Sequence, residues 1–178
     1  MPSKLIPLDT EVHDRQRFES GRRETDLFLK TIAGKSAGHL LSKTFVRASD
    51  SDEREIAAFL SLVICTDTPP AGSSRLQRNK TIVPGILIAQ LGVDKKHQGK
   101  GIGVEIVAEA ITMYAEEALR SNMPQGVGLF VDAAEDTLIP FYEKCGFVLV
   151  DPEDPECRRL WMKAGNCLSL LEASNAEL

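Results

Sequence analysis

The stretch Gly92-Val93-Asp94-Lys95-Lys96-His97-Gln98-Gly99-Lys100-Gly101-Ile102-Gly103 joins glycines to cations, a combination suited to holding a phosphate. Glycine lets an anion approach backbone N–H groups without meeting a Cβ, and lysine adds charge. Two flanking patterns place the stretch. Ile86, Leu87, Ile88, Ala89, Leu91 and Val93 form a β-branched-rich apolar run that predicts a buried strand. Val104, Ile106, Val107, Ala110, Ile111 and Tyr114 recur at intervals suited to one face of a helix. The glycines therefore fall at a helix N-terminus, where unpaired N–H groups and the dipole favour negative charge.

Spacing separates the phosphate loops that share this logic. A Walker A loop needs Ser or Thr after its lysine, and Lys100 is followed by Gly101. A dinucleotide fingerprint needs G-x-G-x-x-G, and Ile106 stands where its last glycine belongs. What remains is Q-x-x-G-x-G, filled by Gln98, Gly101 and Gly103. A second cluster follows, Pro140-Phe141-Tyr142-Glu143-Lys144-Cys145-Gly146-Phe147. Asp136 can cap a short helix here, Pro140 is tolerated in its first turn, and Gly146 can end it in the left-handed conformation. Phe147 is then placed to pack back on Phe141 or Tyr142. Taken singly, the first cluster could be a ligand-free turn and Tyr142 a core tyrosine.

Together and in this order, Q-x-x-G-x-G and F-Y-x-x-x-G-F resemble the GCN5-related N-acetyltransferase (GNAT) family. The resemblance implies the GNAT fold, an α/β architecture whose mixed, mostly antiparallel sheet carries helices on both faces. It implies acetyl-CoA as co-substrate, with no metal. The backbone of Leu91 and Val93 would meet its arm, and the N–H groups of Gln98, Gly99, Lys100, Gly101, Ile102 and Gly103 its pyrophosphate. Tyr142 would be the general acid, since the leaving thiolate has a conjugate thiol pKa of about 8.5. Phe18-Glu19-Ser20-Gly21 followed by Leu27-Phe28-Leu29 is similar to the opening of bacterial acetyltransferase toxins partnered with ribbon-helix-helix antitoxins, with Ser20 in place of the usual cysteine. Such toxins acetylate the α-amine of aminoacyl-tRNA and inhibit translation. An α-amine with a pKa of about 7.7 to 8.0 is partly free at neutral pH and needs little help from a base, unlike a lysine near 10.4. Glu24, Asp26 and His97 are the unspecific candidates for a base, with solvent exposure the commoner fate of His97 and a helix-surface charge that of Glu24. The alternatives are a housekeeping acetyltransferase for a small amine or protein N-terminus, and a non-catalytic coenzyme A-binding module. The resemblance leaves a homodimer open.

Composition agrees with an enzyme of this size. The chain has 178 residues, 43% of them hydrophobic, which suits a single domain over residues 1–168 with a frayed polar tail over 169–178. No apolar run approaches a membrane span and no signal peptide opens the chain, so the expected compartment is the cytoplasm. The four cysteines lack metal-ligand spacing, and the three histidines form no H-E-x-x-H. Net charge is −5, yet Arg15, Arg17, Arg22, Arg23, Lys30, Lys35, Lys43 and Arg47 outnumber the acids between Asp14 and Arg47. Arg22, Arg23, Lys30, Lys35 and Lys43, with Arg75, Arg78 and Lys80 of a long surface loop over 69–84, are the candidate nucleic-acid contacts.

The remaining elements follow from periodicity. Helices are expected within 18–39, with Leu27, Phe28, Thr31 and Ile32 facing inward. Strands are expected over 43–48, 57–65, 85–93, 127–131, 147–150 and 159–162, and a long helix over 102–120.

Overall fold

Apolar runs bounded by turn residues become strands at the expected places, and the computed structural model describes them within residues 4–176. In chain order the elements are β1 (Ile6–Pro7), α1 (Arg23–Leu27), a wide π-turn (Phe28–Ile32), α2 (Ala33–Gly38), β2 (Lys43–Ala48) and β3 (Ile56–Asp67). Then come α3 (Arg75–Arg78), β4 (Val83–Val93), α4 (Ile102–Arg120), β5 (Gly128–Asp132), α5 (Ile139–Lys144), β6 (Val148–Leu149), β7 (Arg159–Lys163) and α6 (Ala164–Ala176). The sheet order is β1-β2-β3-β4-β5-β7-β6. The pairs β1–β2, β2–β3, β5–β7 and β6–β7 are antiparallel, so the α/β, mostly antiparallel expectation holds. Among the described residues no helix is long and apolar enough to cross a membrane. Two compact units form, Met1–Val63 with Ile88–Glu109, and Ile64–Leu87 with Ala110–Leu178.

The first unit is built on an aromatic cluster. Phe18, Leu29, Ala33, Val46, Ile56 and Phe59 are buried together, with Leu8 and Phe28 against them. Phe18 meets Phe59 edge-on at 5.2 Å, and Phe28 stacks on it at 6.3 Å. The inward face of the helical segment is Thr25, Leu29 and Ala33, four residues apart. Leu27, Thr31 and Ile32, expected inside, are exposed. Leu27 already faces outward in α1, ahead of the π-turn, and the wide turn at Phe28–Ile32 carries Leu29 and Ala33 onto the face that Thr25 begins. Pro7 is accommodated because β1 lies at the sheet edge, where no ladder donor is needed.

In the second unit, β5 and β7 pair with Phe130 opposite Trp161, and the two rings stack at 5.9 Å. Their neighbours Leu129, Val131, Leu160 and Met162 are buried. The expected frayed tail is instead α6, because Cys167 and Leu171, one helical turn apart, are buried; residues 177–178 lie outside the described residues. The surface loop contains α3, fixed by a capping box in which Ser74 and Gln77 exchange hydrogen bonds. Asp136 does not cap α5. It sits in a preceding 3-10 turn and accepts a 2.6 Å hydrogen bond from Arg158.

Candidate active site

Lys95–His97 form one 3-10 turn between β4 and α4, and a buried aspartate positions it. Asp94 is only 3% exposed. Its carboxylate accepts from the Lys96 N–H at 3.0 Å and from the Glu19 N–H at 2.9 Å, while its own N–H donates to Ala57. Gln98 completes the anchor. Its amide nitrogen donates to the Ser20 carbonyl at 2.8 Å and to the Val93 carbonyl at 2.9 Å. Both bonds hold the loop to β4 and to the chain entering α1, so the Gln98 side chain acts as a brace. Ser20 is braced in turn: its N–H and hydroxyl both donate to Asp26. This occupies Asp26, one of the candidate bases.

Beyond Gln98 the backbone opens. Gly99 has φ of +74° and Gly101 of +82°, a region L side chains seldom adopt, and a Cβ on either would meet no atom within 4 Å. Gly101 begins α4: its carbonyl accepts from Val104 and Glu105. Among the described residues the Ile102 and Gly103 N–H groups have no acceptor, as expected of a first helical turn. Positive φ, free space and unpaired donors at the start of a 19-residue helix make a cradle for an anion. Leu91 and Val93, half-buried at the end of β4, lead into it.

Of the segment's lysines, only Lys100 is without a carboxylate among the described residues. Lys95 pairs with Glu19 and Lys96 with Glu55, each at 2.9 Å, and these hydrogen bonds hold both ammonium groups above their usual pKa. Lys100 also borders a cavity of about 380 Å³ with Arg47, Ser49, His97, Ile102 and Glu105. His97, expected in solvent, is half-buried there, and its buried Nε2 has no hydrogen-bond partner among the described residues. Arg47, counted in the basic segment, is 5% exposed and bound to Glu105 and Glu109. Burial opposes its charge, but the two carboxylates outweigh it and hold the guanidinium above its usual pKa. Arg47 is thus an internal ion pair, and its removal from the basic face is a correction.

Tyr142 belongs to the second unit, on α5. The helix ends as a Schellman motif: Phe147 N–H donates to the Tyr142 carbonyl at 3.1 Å and Gly146 N–H to Glu143 at 2.9 Å, with Gly146 at φ +94°. Tyr142 packs edge-on against Phe141 at 5.0 Å and Phe147 at 6.2 Å, which fixes its ring. The chain's other tyrosine, Tyr114, is committed elsewhere, donating to the Gly126 carbonyl at 3.1 Å, and burial pushes its phenol far up.

The candidate nucleic-acid cations fall in both units. Arg22, Arg23, Lys30, Lys35 and Lys43 lie in the first, and Arg75, Arg78 and Lys80 on or beside α3 in the second. Sequence reasoning passed over Asp94, whose only signal is an Asp two residues before a predicted turn's N–H, the Asx pattern.

Residues 10–147 match the acetyltransferase (GNAT) family. A tRNA-acetylating toxin of Mycobacterium tuberculosis (strain ATCC 25618 / H37Rv) is 29% identical over 165 residues, 89% of this chain and 92% of the toxin. AtaT complexed with acetyl-methionyl-tRNAfMet superimposes with a TM-score of 0.78 at 22% identity, covering 91% of this chain and 95% of AtaT. AtaTR bound with AcCoA gives 0.74 at 24% identity, over 95% and 98% of the two chains. A tyrosine-to-phenylalanine variant of AtaT bound to the C-terminus of the antitoxin AtaR gives 0.76 at 21%, over 94% and 96%. The family match runs through both the open glycine loop and the α5 Schellman end, and the chain belongs to the acetyltransferase (GNAT) family.

Proposed function

We propose that this N-acetyltransferase transfers the acetyl group of acetyl-CoA to the α-amine of aminoacyl-tRNA, acting as a translation-blocking toxin held in check by a ribbon-helix-helix antitoxin. The end-to-end likeness to a tRNA-acetylating toxin carries this reading. The AtaT complexes with acetylated tRNA, AcCoA and antitoxin support it.

The glycine loop fits the co-substrate. Gly99 and Gly101 leave open backbone where a pyrophosphate would press, and Ile102 and Gly103 offer unpaired N–H groups at the positive end of α4. Lys100 adds a cation that has no carboxylate partner among the described residues, and the Leu91 and Val93 backbone would align the arm. When bound, acetyl-CoA supplies an activated acetyl group for amine attack. Tyr142, its ring held by Phe141 and Phe147, would hold the proton destined for the departing thiolate, whose conjugate acid has a pKa of about 8.5. No carboxylate base is required, because an α-amine is partly unprotonated at neutral pH. Arg22, Arg23, Lys30, Lys35, Lys43, Arg75, Arg78 and Lys80 would contribute electrostatic attraction to RNA.

The test is acetylation of charged tRNA by the purified chain with acetyl-CoA, followed by the Tyr142→Phe variant. We expect acetylated aminoacyl-tRNA from wild type and turnover lower by about 10²-fold in the variant, with acetyl-CoA binding retained. Acetylation of a small amine or peptide alone would hand the enzyme to the housekeeping reading. Wild-type turnover in Tyr142→Phe would return Tyr142 to the core.

A further inference from the structure

A second cavity, of about 410 Å³, opens in the first unit and is lined by Thr10, Arg15, Lys30, Thr31, Gly34 and Lys35. Three of these six residues are cations and none is an acid. The neighbouring carboxylate Asp14 is already taken, by Arg17 at 3.0 Å and by the Gln16 N–H. No ion pair reaches Arg15, Lys30 or Lys35 among the described residues. Arg15 is not loose: one guanidinium nitrogen leans on the Lys30 carbonyl at 3.4 Å, which sets the fork at the cavity wall. Gly34 lets the walls close, since a Cβ there would stand 2.8 Å from Thr10 Cγ2 and 3.4 Å from the Arg15 guanidinium. Thr31 gives its proton to the Leu27 carbonyl, and Thr10 adds a second hydroxyl to the lining.

Three like charges around one hollow repel one another, and a bound anion offsets that cost. A guanidinium fork with two ammonium groups and a hydroxyl matches the several oxygens of a phosphate better than a single carboxylate. The volume lies in the range of small-ligand clefts, about 300 to 1,000 Å³. We propose that this cavity is a phosphate-binding site that seats one backbone phosphate of the RNA substrate, with Arg15, Lys30 and Lys35 as its cations. The source of the phosphate rests on the aminoacyl-tRNA reading; the phosphate chemistry stands on the cavity alone. The inference adds Arg15 to the nucleic-acid contacts and gathers Lys30 and Lys35, out of the scattered basic residues, into one site.

The experiment uses the full chain and uncharged tRNA, so its outcome is independent of whether charged tRNA is acetylated. Fluorescence anisotropy of labelled tRNA across a salt series compares wild type with Lys30→Ala/Lys35→Ala and, separately, Arg15→Gln. The variants should bind at least tenfold more weakly, with the log–log salt slope shallower by about one unit, the loss of one phosphate contact. Inorganic phosphate should raise the melting temperature of wild type more than that of either variant. Equal tRNA affinity and slope, with no difference in the phosphate response, would overturn the proposal. A phosphate response without any change in tRNA binding would overturn the RNA source and assign the cavity to a free phosphate. Lys35 is exposed, so Lys35→Glu alone repeats the measurement should the double variant fold poorly.

Discussion

Gly92 and Gly101 stand in the same short segment and do opposite work. At Gly92 a Cβ would press 2.8 Å from Phe59, 2.8 Å from Thr25 and 3.1 Å from Phe18, so the missing side chain lets the aromatic cluster close on β4. At Gly101 a Cβ would meet nothing within 4 Å, and the positive φ aims backbone donors into open space. One glycine is required by packing against the protein, and the other has open space around it. The loop is thus an open cradle mounted on a filled strand, with Asp94 and Gln98 as the braces between them.

Breaking the filled side should produce the largest effect. Gly92→Ala overpacks two rigid rings and a threonine, a change that costs about 1 to 3 kcal/mol. We expect a clear loss in urea or thermal unfolding, while acetyl-CoA affinity of the folded protein, measured by calorimetry, stays within a few-fold. Unaltered stability would mean that Phe18 and Phe59 can move aside and that Gly92 is not a packing requirement.

Breaking the open side should leave the fold and strike the ligand. Gly101→Asp places a carboxylate and a Cβ at φ +82° beside the expected pyrophosphate. Acetyl-CoA affinity should fall at least tenfold, which is about 1.4 kcal/mol. Because the Cβ meets no protein atom, the stability cost should be confined to the backbone conformation, about 1 kcal/mol. Unchanged affinity in a folded variant would take the pyrophosphate away from this loop.

How far the sequence reached follows the same division. Local patterns were legible: α4 runs over Ile102–Arg120 as its apolar spacing implied, and Gly146 ends α5 as a glycine after Cys145 suggested. The open loop was legible because its glycines have no other local explanation. Long-range pairing was not. Nothing in the neighbourhood of Arg47 announces Glu105 and Glu109, so a buried ion pair read as part of a basic face. The buried face of this short helical segment is Thr25, Leu29 and Ala33, so Leu27 and Ile32 lie outward although their spacing suited an inward face. In α6 two buried positions, Cys167 and Leu171, hold a segment whose polar composition suggested fraying. The cationic cavity combines Arg15 with residues from another helical segment, a juxtaposition that only folding creates.

The smallest expected effect tests the braces that join the two sides. Gln98 was read from its motif as offering its backbone N–H to the pyrophosphate, and its side-chain nitrogen is spent on the Ser20 and Val93 carbonyls. Each such bond contributes about 0.5 to 1.5 kcal/mol when buried and less where water can replace it. Gln98 is exposed, so Gln98→Ala should cost about 1 kcal/mol in the ligand-free protein and only a few-fold in acetyl-CoA affinity, the latter because a looser loop must be ordered on binding. The two quantities should move together, and stability without ligand is the diagnostic one. If Gln98→Ala leaves ligand-free stability untouched yet lowers affinity tenfold, the side chain leaves its braces to meet the phosphate, and the cradle is assembled by the ligand instead of being built in advance by the strand beneath it.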